Sequence, residues 1–247
     1  MHVTVKGLVL RVTAYKETDA LLTLLTEDLG KITVKARSLR RKNNPLSATC
    51  QLLAYGEFTL FEYRGMYTVN EASSIMLFPQ LHKDIVKLSL GTYFAQVAEA
   101  LSQEDVPNPE LLSLTLNCLY ALCKLSVSEQ QIKSVFELRS ACIAGYMPDL
   151  SGCYRCAEPM PEMFDITAGR LECRSCRSAA STGIRLPVSA GVLDAMRYIC
   201  FSDQKNILSF RASGETIDML AQITESYLST QLERGFSTLD FYKSLLI

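Results

Sequence analysis

The sequence predicts an α+β, multidomain protein: an N-terminal five-stranded OB-fold β-barrel, followed by a helical bundle with an inserted four-cysteine zinc module. Three observations predict it. Short alternating apolar segments broken at glycine fill the first 79 residues, and near Pro79 the apolar period changes from two to three and four. Two Cys-x2-Cys pairs, Cys153 with Cys156 and Cys173 with Cys176, then stand sixteen residues apart. The expected domains are 1–79 for the barrel and 80–247 for the helices, with the zinc module at about 150–182.

In the barrel, Val3 and Val5 alternate with Thr4 and Lys6 before the apolar parity moves to Leu8, Leu10 and Val12, so a bulge and a strong bend are expected at Gly7. Segments 20–26 and 31–37 form a hairpin through Glu27 to Gly30, and 56–72 form a second one turning at Arg64 and Gly65. Five short strands in about 75 residues suit a small closed barrel, of which the OB-fold is the common five-stranded form. Phe58 and Leu60 lie on the opposite pleat from Phe61 and Tyr63, and the pattern leaves open which pair is buried.

Among the helices, Ile85, Leu88, Leu90, Tyr93, Phe94, Val97 and Leu101 recur at helical spacing. Asn108 with Pro109 marks a second start, the capping-box pattern from Ser126 to Glu129 a third, and Ser189 and Ser213 two more. Leu239 to Ile247 makes a short last helix.

Composition bounds the function. The chain has 247 residues, 48% of them hydrophobic, enough for a real core. With 26 acids against 25 bases it has no global pull toward nucleic acid or membrane, so such a role must be local. No apolar run approaches the roughly 18 residues of a membrane span, and no signal peptide is visible, so the expected location is cytoplasmic. Reduced thiols follow, and Cys50, Cys118, Cys123, Cys142 and Cys200 read as small core side chains.

The Cys-x2-Cys-x16-Cys-x2-Cys spacing is that of two zinc knuckles completing one tetrahedron from Cys153, Cys156, Cys173 and Cys176. Four thiolates leave no open position for water, so the expected Zn2+ is structural. A thioredoxin-type redox pair at Cys153 and Cys156 is the competing reading. The flanking Arg155, Arg170, Arg174 and Arg177 are offset by Glu158, Glu162, Asp165 and Glu172, which favours a solvated loop.

From residue 31 to 56 the chain carries six cations, Lys31, Lys35, Arg37, Arg40, Arg41 and Lys42, and no acid. Lys31, Thr33, Lys35 and Arg37 alternate with Ile32, Val34 and Ala36, so a strand sets the bases on its wet face. If all six met phosphates, log affinity for a single strand would fall with log salt at a slope near about −4. Tyr55, Phe61, Tyr63 and Tyr67 are candidates for stacking on bases. His2 and His82 form no nucleophile pair, and neither a phosphate-cradling nor a dinucleotide glycine motif is present, so a binder rather than an enzyme is expected. An OB and zinc protein that binds RNA or joins a transcription or translation complex is the alternative.

The stretch GLVLRVTAYKETDALLTLLTEDLGKITVKAR at 7–37, the basic loop after it, FELRSACIAGYMPDLSGCYRC at 136–156 and the closing pair at 173 and 176 resemble the bacterial recombination mediator family RecO. Two departures stand out: Ala157 replaces the glycine that often follows the second cysteine, and ARSLRRKNNPLS replaces a tighter Gly-Ala-Arg-Arg pattern. The resemblance implies binding of single- and double-stranded DNA, strand annealing, and association with RecR. It also implies contact with the acidic C-terminal tail of single-stranded DNA-binding protein, and help in loading RecA. Lys35, Arg37, Arg40, Arg41 and Lys42 match the family's basic barrel region, and the tail site is expected in the helical domain. Arg139 is expected to join helix to barrel.

Overall fold

The computed structural model describes residues 2–176 and 183–246. Arg177, the end of the expected zinc module at 182, and Ile247 lie outside the described residues. The first five strands are β1 (His2–Tyr15), β2 (Asp19–Thr26), β3 (Lys31–Ala36), β4 (Tyr55–Tyr63) and β5 (Met66–Met76), closed into a barrel in the order β1-β2-β3-β5-β4. Closure depends on the length of β1. Its first half pairs with β4, from His2 opposite Phe61 to Leu8 opposite Tyr55, and its second half pairs with β2, ending with Tyr15 opposite Asp19. The break in register falls between Val9 and Arg11, three residues beyond the expected Gly7, because Leu8, Val9 and Leu10 are buried in succession while Val12 is exposed.

Inside the barrel, Val5, Val9, Leu22, Leu24, Ile32, Val34, Phe58, Leu60 and Val69 form one apolar core, completed by Cys50 and Ala54 from the β3–β4 connection. The pleat question is answered here: Phe58 and Leu60 are fully buried, whereas Phe61 and Tyr63 are 40% and 60% exposed. Turn chemistry matches the sequence. Arg64 and Gly65 both have positive φ, as a two-residue hairpin requires, and Gly30 has φ 64° with the Val106 backbone so close that a Cβ would lie 2.3 Å from its carbonyl oxygen.

Helix α1 (Ile85–Leu101) is capped by Asp84, α2 (Pro109–Lys124) by Asn108 with proline at its first position, and α3 (Glu129–Ile143) by Ser128. The third cap sits two residues inside the expected start at Ser126, since Ser128 accepts from the Gln131 N–H. After the cysteine module come α4 (Ala190–Phe201) and α5 (Gly214–Gln231), capped by Ser189 and Ser213 as the spacing predicts, and α6 (Ser237–Ser244). No helix among the described residues is long and apolar enough to cross a membrane.

By compactness the chain divides into Met1–Leu125 with Phe236–Ile247, and Ser126–Gly235. In the first unit, α1, α2 and α6 accompany the barrel: Tyr93 of α1 meets Phe236, just before α6, edge-on with centroids 5.6 Å apart. In the second, α3, α4 and α5 accompany a four-stranded sheet in the order β6-β8-β7-β9, made of β6 (Asp149–Cys153), β7 (Met163–Asp165), β8 (Arg170–Glu172) and β9 (Arg185–Pro187). Within that unit α3 buries charge: Lys133 is 2.9 Å from Glu137 and 2.8 Å from Glu225, and the Thr224 hydroxyl donates to Glu137. The Arg139 guanidinium donates to the carbonyls of Ile199 and Cys200 at the end of α4, a tie from helix to helix.

Candidate nucleic-acid interface and metal centre

On β3, Ile32, Val34 and Ala36 are buried while Thr33 is exposed and Lys31 and Lys35 are half-buried, so the cations alternate outward as expected. They do not act as one stripe. The six steps from Lys31 to Arg37 span about 20 Å at strand rise, and the two lysines are directed to protein partners. The Lys31 amine donates to the Glu99 carbonyl near the C-terminus of α1. The Lys35 amine lies 2.9 Å from Asp19 and 5.4 Å from the Tyr15 ring centroid.

Beyond β3 the chain folds back onto the β1–β2 turn. The Ser38 N–H donates to the Asp19 carboxylate, the Arg40 N–H to the Thr18 carbonyl, and the Arg40 guanidinium to the Glu17 carbonyl. Asn44 locks the loop by donating to the Ser38 carbonyl and accepting from the Leu46 N–H, while Leu39 and Leu46 pack against the barrel core. The Ser38 N–H and the Lys35 amine hold the Asp19 carboxyl below its usual value, so it is anionic at neutral pH. Arg37, Arg40, Arg41 and Lys42 are exposed, and no ion pair among the described residues involves them. Arg40 is tied to the turn that carries Lys16, a cation sequence reasoning missed together with Tyr15. Reading 2–26 as one long hairpin would have placed both at its tip.

Of the aromatic candidates, Tyr55 is buried with its hydroxyl donating to Glu27, and Tyr67 packs against the core. Phe61 is outward and exposed, in a row with Thr68, Lys35 and Leu21 set by the strand pairings. Tyr63 is exposed beside Arg64, whose guanidinium lies 5.2 Å from its ring centroid.

In the second unit the four cysteines converge. Cys153 ends β6, Cys173 follows β8, and these strands pair, which brings the two knuckles together. The sulfurs of Cys153, Cys156, Cys173 and Cys176 all lie within 4.8 Å of one another, with Cys156 and Cys173 at 3.7 Å. A tetrahedron with 2.3 Å metal–sulfur bonds has sulfurs about 3.8 Å apart, so the set fits one ion. Burial pushes the Cys153 thiol up, but the N–H groups of Arg155, Cys156 and Cys173 outweigh this and bring it down to about 6. Cys173 is pushed up to about 12 by burial and the adjoining sulfurs, the repulsion a dication removes. The first knuckle closes through the Ala157 N–H to the Cys153 carbonyl at 2.8 Å, with Ala157 at φ 60°, a left-handed position that favours glycine. Around it, Arg185 bridges Glu172 at 2.7 Å and Asp165 at 3.4 Å, and Arg170 stacks on Tyr154 at 3.7 Å. Arg155 and Arg174 are exposed.

Fold and site together define a class: a five-stranded barrel with cations at one turn, joined to a helical region that carries a four-sulfur centre. The profile described as Recombination protein O N terminal matches residues 1–78, and Recombination protein O C terminal matches 82–240. Similar full-length proteins include the DNA repair protein RecO of Acetivibrio thermocellus, 31% identical over 99% of this chain and 97% of that protein. Those of Alkaliphilus metalliredigens and Dehalococcoides mccartyi are each 28% identical, over 99% and 97% of this chain and 100% and 94% of their own. The chain belongs to the RecO family of DNA repair and recombination proteins.

Proposed function

We propose that the chain is a non-catalytic recombination mediator of the cytoplasm that binds single- and double-stranded DNA on its barrel, anneals complementary strands and, with RecR, helps load RecA. Its substrate is DNA coated by single-stranded DNA-binding protein, whose acidic tail it contacts through the helical domain. One observation carries the reading: in a family of DNA repair proteins, Arg37, Arg40, Arg41 and Lys42 are exposed on a hydrogen-bonded segment that Ser38 and Arg40 tie to the β1–β2 turn, with no ion pair among the described residues drawing off their charge. Cations fixed in advance lose little entropy on meeting phosphates, and screening two polyanions lets strands approach. Lys31 and Lys35 then lie at the margin, engaged with Glu99 and Asp19. The four cysteines hold one structural Zn2+ that keeps β6 and β8 together and does no chemistry on a substrate.

Replacing Arg37, Arg40, Arg41 and Lys42 by alanine is expected to weaken single-stranded DNA binding and flatten its log–log salt slope by up to about 3, with the fold intact. Unchanged binding would remove that surface from the assignment. Competition between DNA and RNA of equal sequence separates this reading from an RNA adaptor, which would prefer the 2′-hydroxyl.

A further inference from the structure

The end of β1 carries an aromatic ring that the barrel core does not use. Tyr15 is 36% exposed and lies opposite Asp19 across the first hairpin. Strand parity puts Tyr15, Asp19, Leu21 and Lys35 on the outer surface. Lys16, held at φ 53°, sets its amine 5.5 Å from the Tyr15 ring centroid, and Lys35 sets its own at 5.4 Å. These lysines differ in freedom. Lys35 is half-buried and tied to Asp19, which also accepts the Ser38 N–H, whereas Lys16 is exposed. Arg40 is folded against the same turn through the carbonyls of Thr18 and Glu17.

We infer that Tyr15 is a stacking subsite for one unpaired base, with Lys16 and Arg40 serving the flanking phosphates and the Asp19–Lys35 pair holding the ring in place. The inference rests on the DNA-binding reading above and narrows it. The Lys16 and Lys35 amines lie over the ring, and only Lys16 is exposed, so a ligand that stacks here takes the place of the Lys16 amine on the ring and offers it an anionic group instead; a planar, aromatic, anionic group does both, which describes a nucleotide in a flexible strand. A duplex hides its base faces in its own stack, so it meets the arginines and Lys16 but leaves Tyr15 unused. Tyr15 therefore sets preference for single strands over duplex, while the arginines supply affinity common to both. Because stacking engages the face of a base, its pairing edge stays open to a complementary strand.

The test measures binding of a labelled thymidine 20-mer and of a 20-base-pair duplex by anisotropy at several salt concentrations. Tyr15→Ala and Tyr15→Leu are expected to lower single-strand affinity by about 5- to 150-fold, with duplex affinity and the salt slope unchanged, and Tyr15→Phe to retain full affinity. Leucine keeps bulk on the outer face, so a loss shared by both variants is a loss of the ring and not of folding. Equal losses for single strand and duplex, or undiminished single-strand binding by both variants, would overturn the subsite. If the arginine variant weakens binding while the Tyr15 variants do not, the subsite alone fails. If wild type binds neither ligand, both readings fail.

Discussion

The barrel and the cysteine module solve the same problem with different forces. The barrel is closed around aliphatic and aromatic side chains from all five strands, and among the described residues no charged side chain of the barrel is buried. The module has strands of three to five residues, too short to bury much apolar surface, and gathers four sulfurs, the Arg185 pairings with Glu172 and Asp165, and the buried Phe164 and Leu171. An apolar core leaves the surface charges of the barrel free to be spent on a ligand, whereas in the module ion pairs share the interior with apolar groups, so removing one partner leaves the other enclosed without its counter-charge.

The largest effect expected from breaking this contrast is at the metal centre. Cys173→Ser should lower bound zinc from one per chain toward none and abolish the chelator-sensitive part of thermal unfolding, while amide protection in β1 to β5 persists. Loss of protection in the barrel as well would show that the two regions are not independent. Next comes the charge buried between α3 and α5: Lys133→Met leaves Glu137 enclosed without its cation and should cost about 3–5 kcal/mol in denaturant unfolding of the second unit. A change within error would mean that Glu137 takes up a proton at little cost. The smallest sharpens the contrast from the other side. Ala157→Gly relaxes a left-handed residue in the first knuckle and should raise stability by about 1 kcal/mol, seen as a higher midpoint with an unchanged metal content. A lower midpoint would show that chain entropy outweighs backbone strain at this turn.

How much of this was legible depended on how local the cause was. Asn108, Ser189 and Ser213 cap their helices where the sequence places them, because a cap is settled within four residues. The cysteine spacing foretold convergence of the sulfurs for a similar reason: each knuckle is a local turn. The family's glycine after the second cysteine also acquires a meaning, since Ala157 occupies a φ of 60°. The short strands β7, β8 and β9 left no mark, as three residues give at most one alternation. Nor did Lys133 and Glu137 look like interior residues, because they are enclosed by packing of α3 on α5, from which Glu225, 92 positions from Lys133, reaches the lysine and Thr224 reaches Glu137.

The basic segment shows the division most clearly. Alternation told that Lys35 points outward, and composition told that the loop is cationic. Neither could tell that Asp19 would claim Lys35 while leaving Arg37, Arg40, Arg41 and Lys42 exposed, or that Tyr15 and Lys16 would join them. By itself the sequence determined the periods, caps, turns and metal spacing, all of which act over a few residues along the backbone. Tertiary structure alone decided which helices accompany the barrel, where the bulge falls in β1, and which cations keep their charge, because these depend on partners brought together by strand register and packing across long stretches of chain.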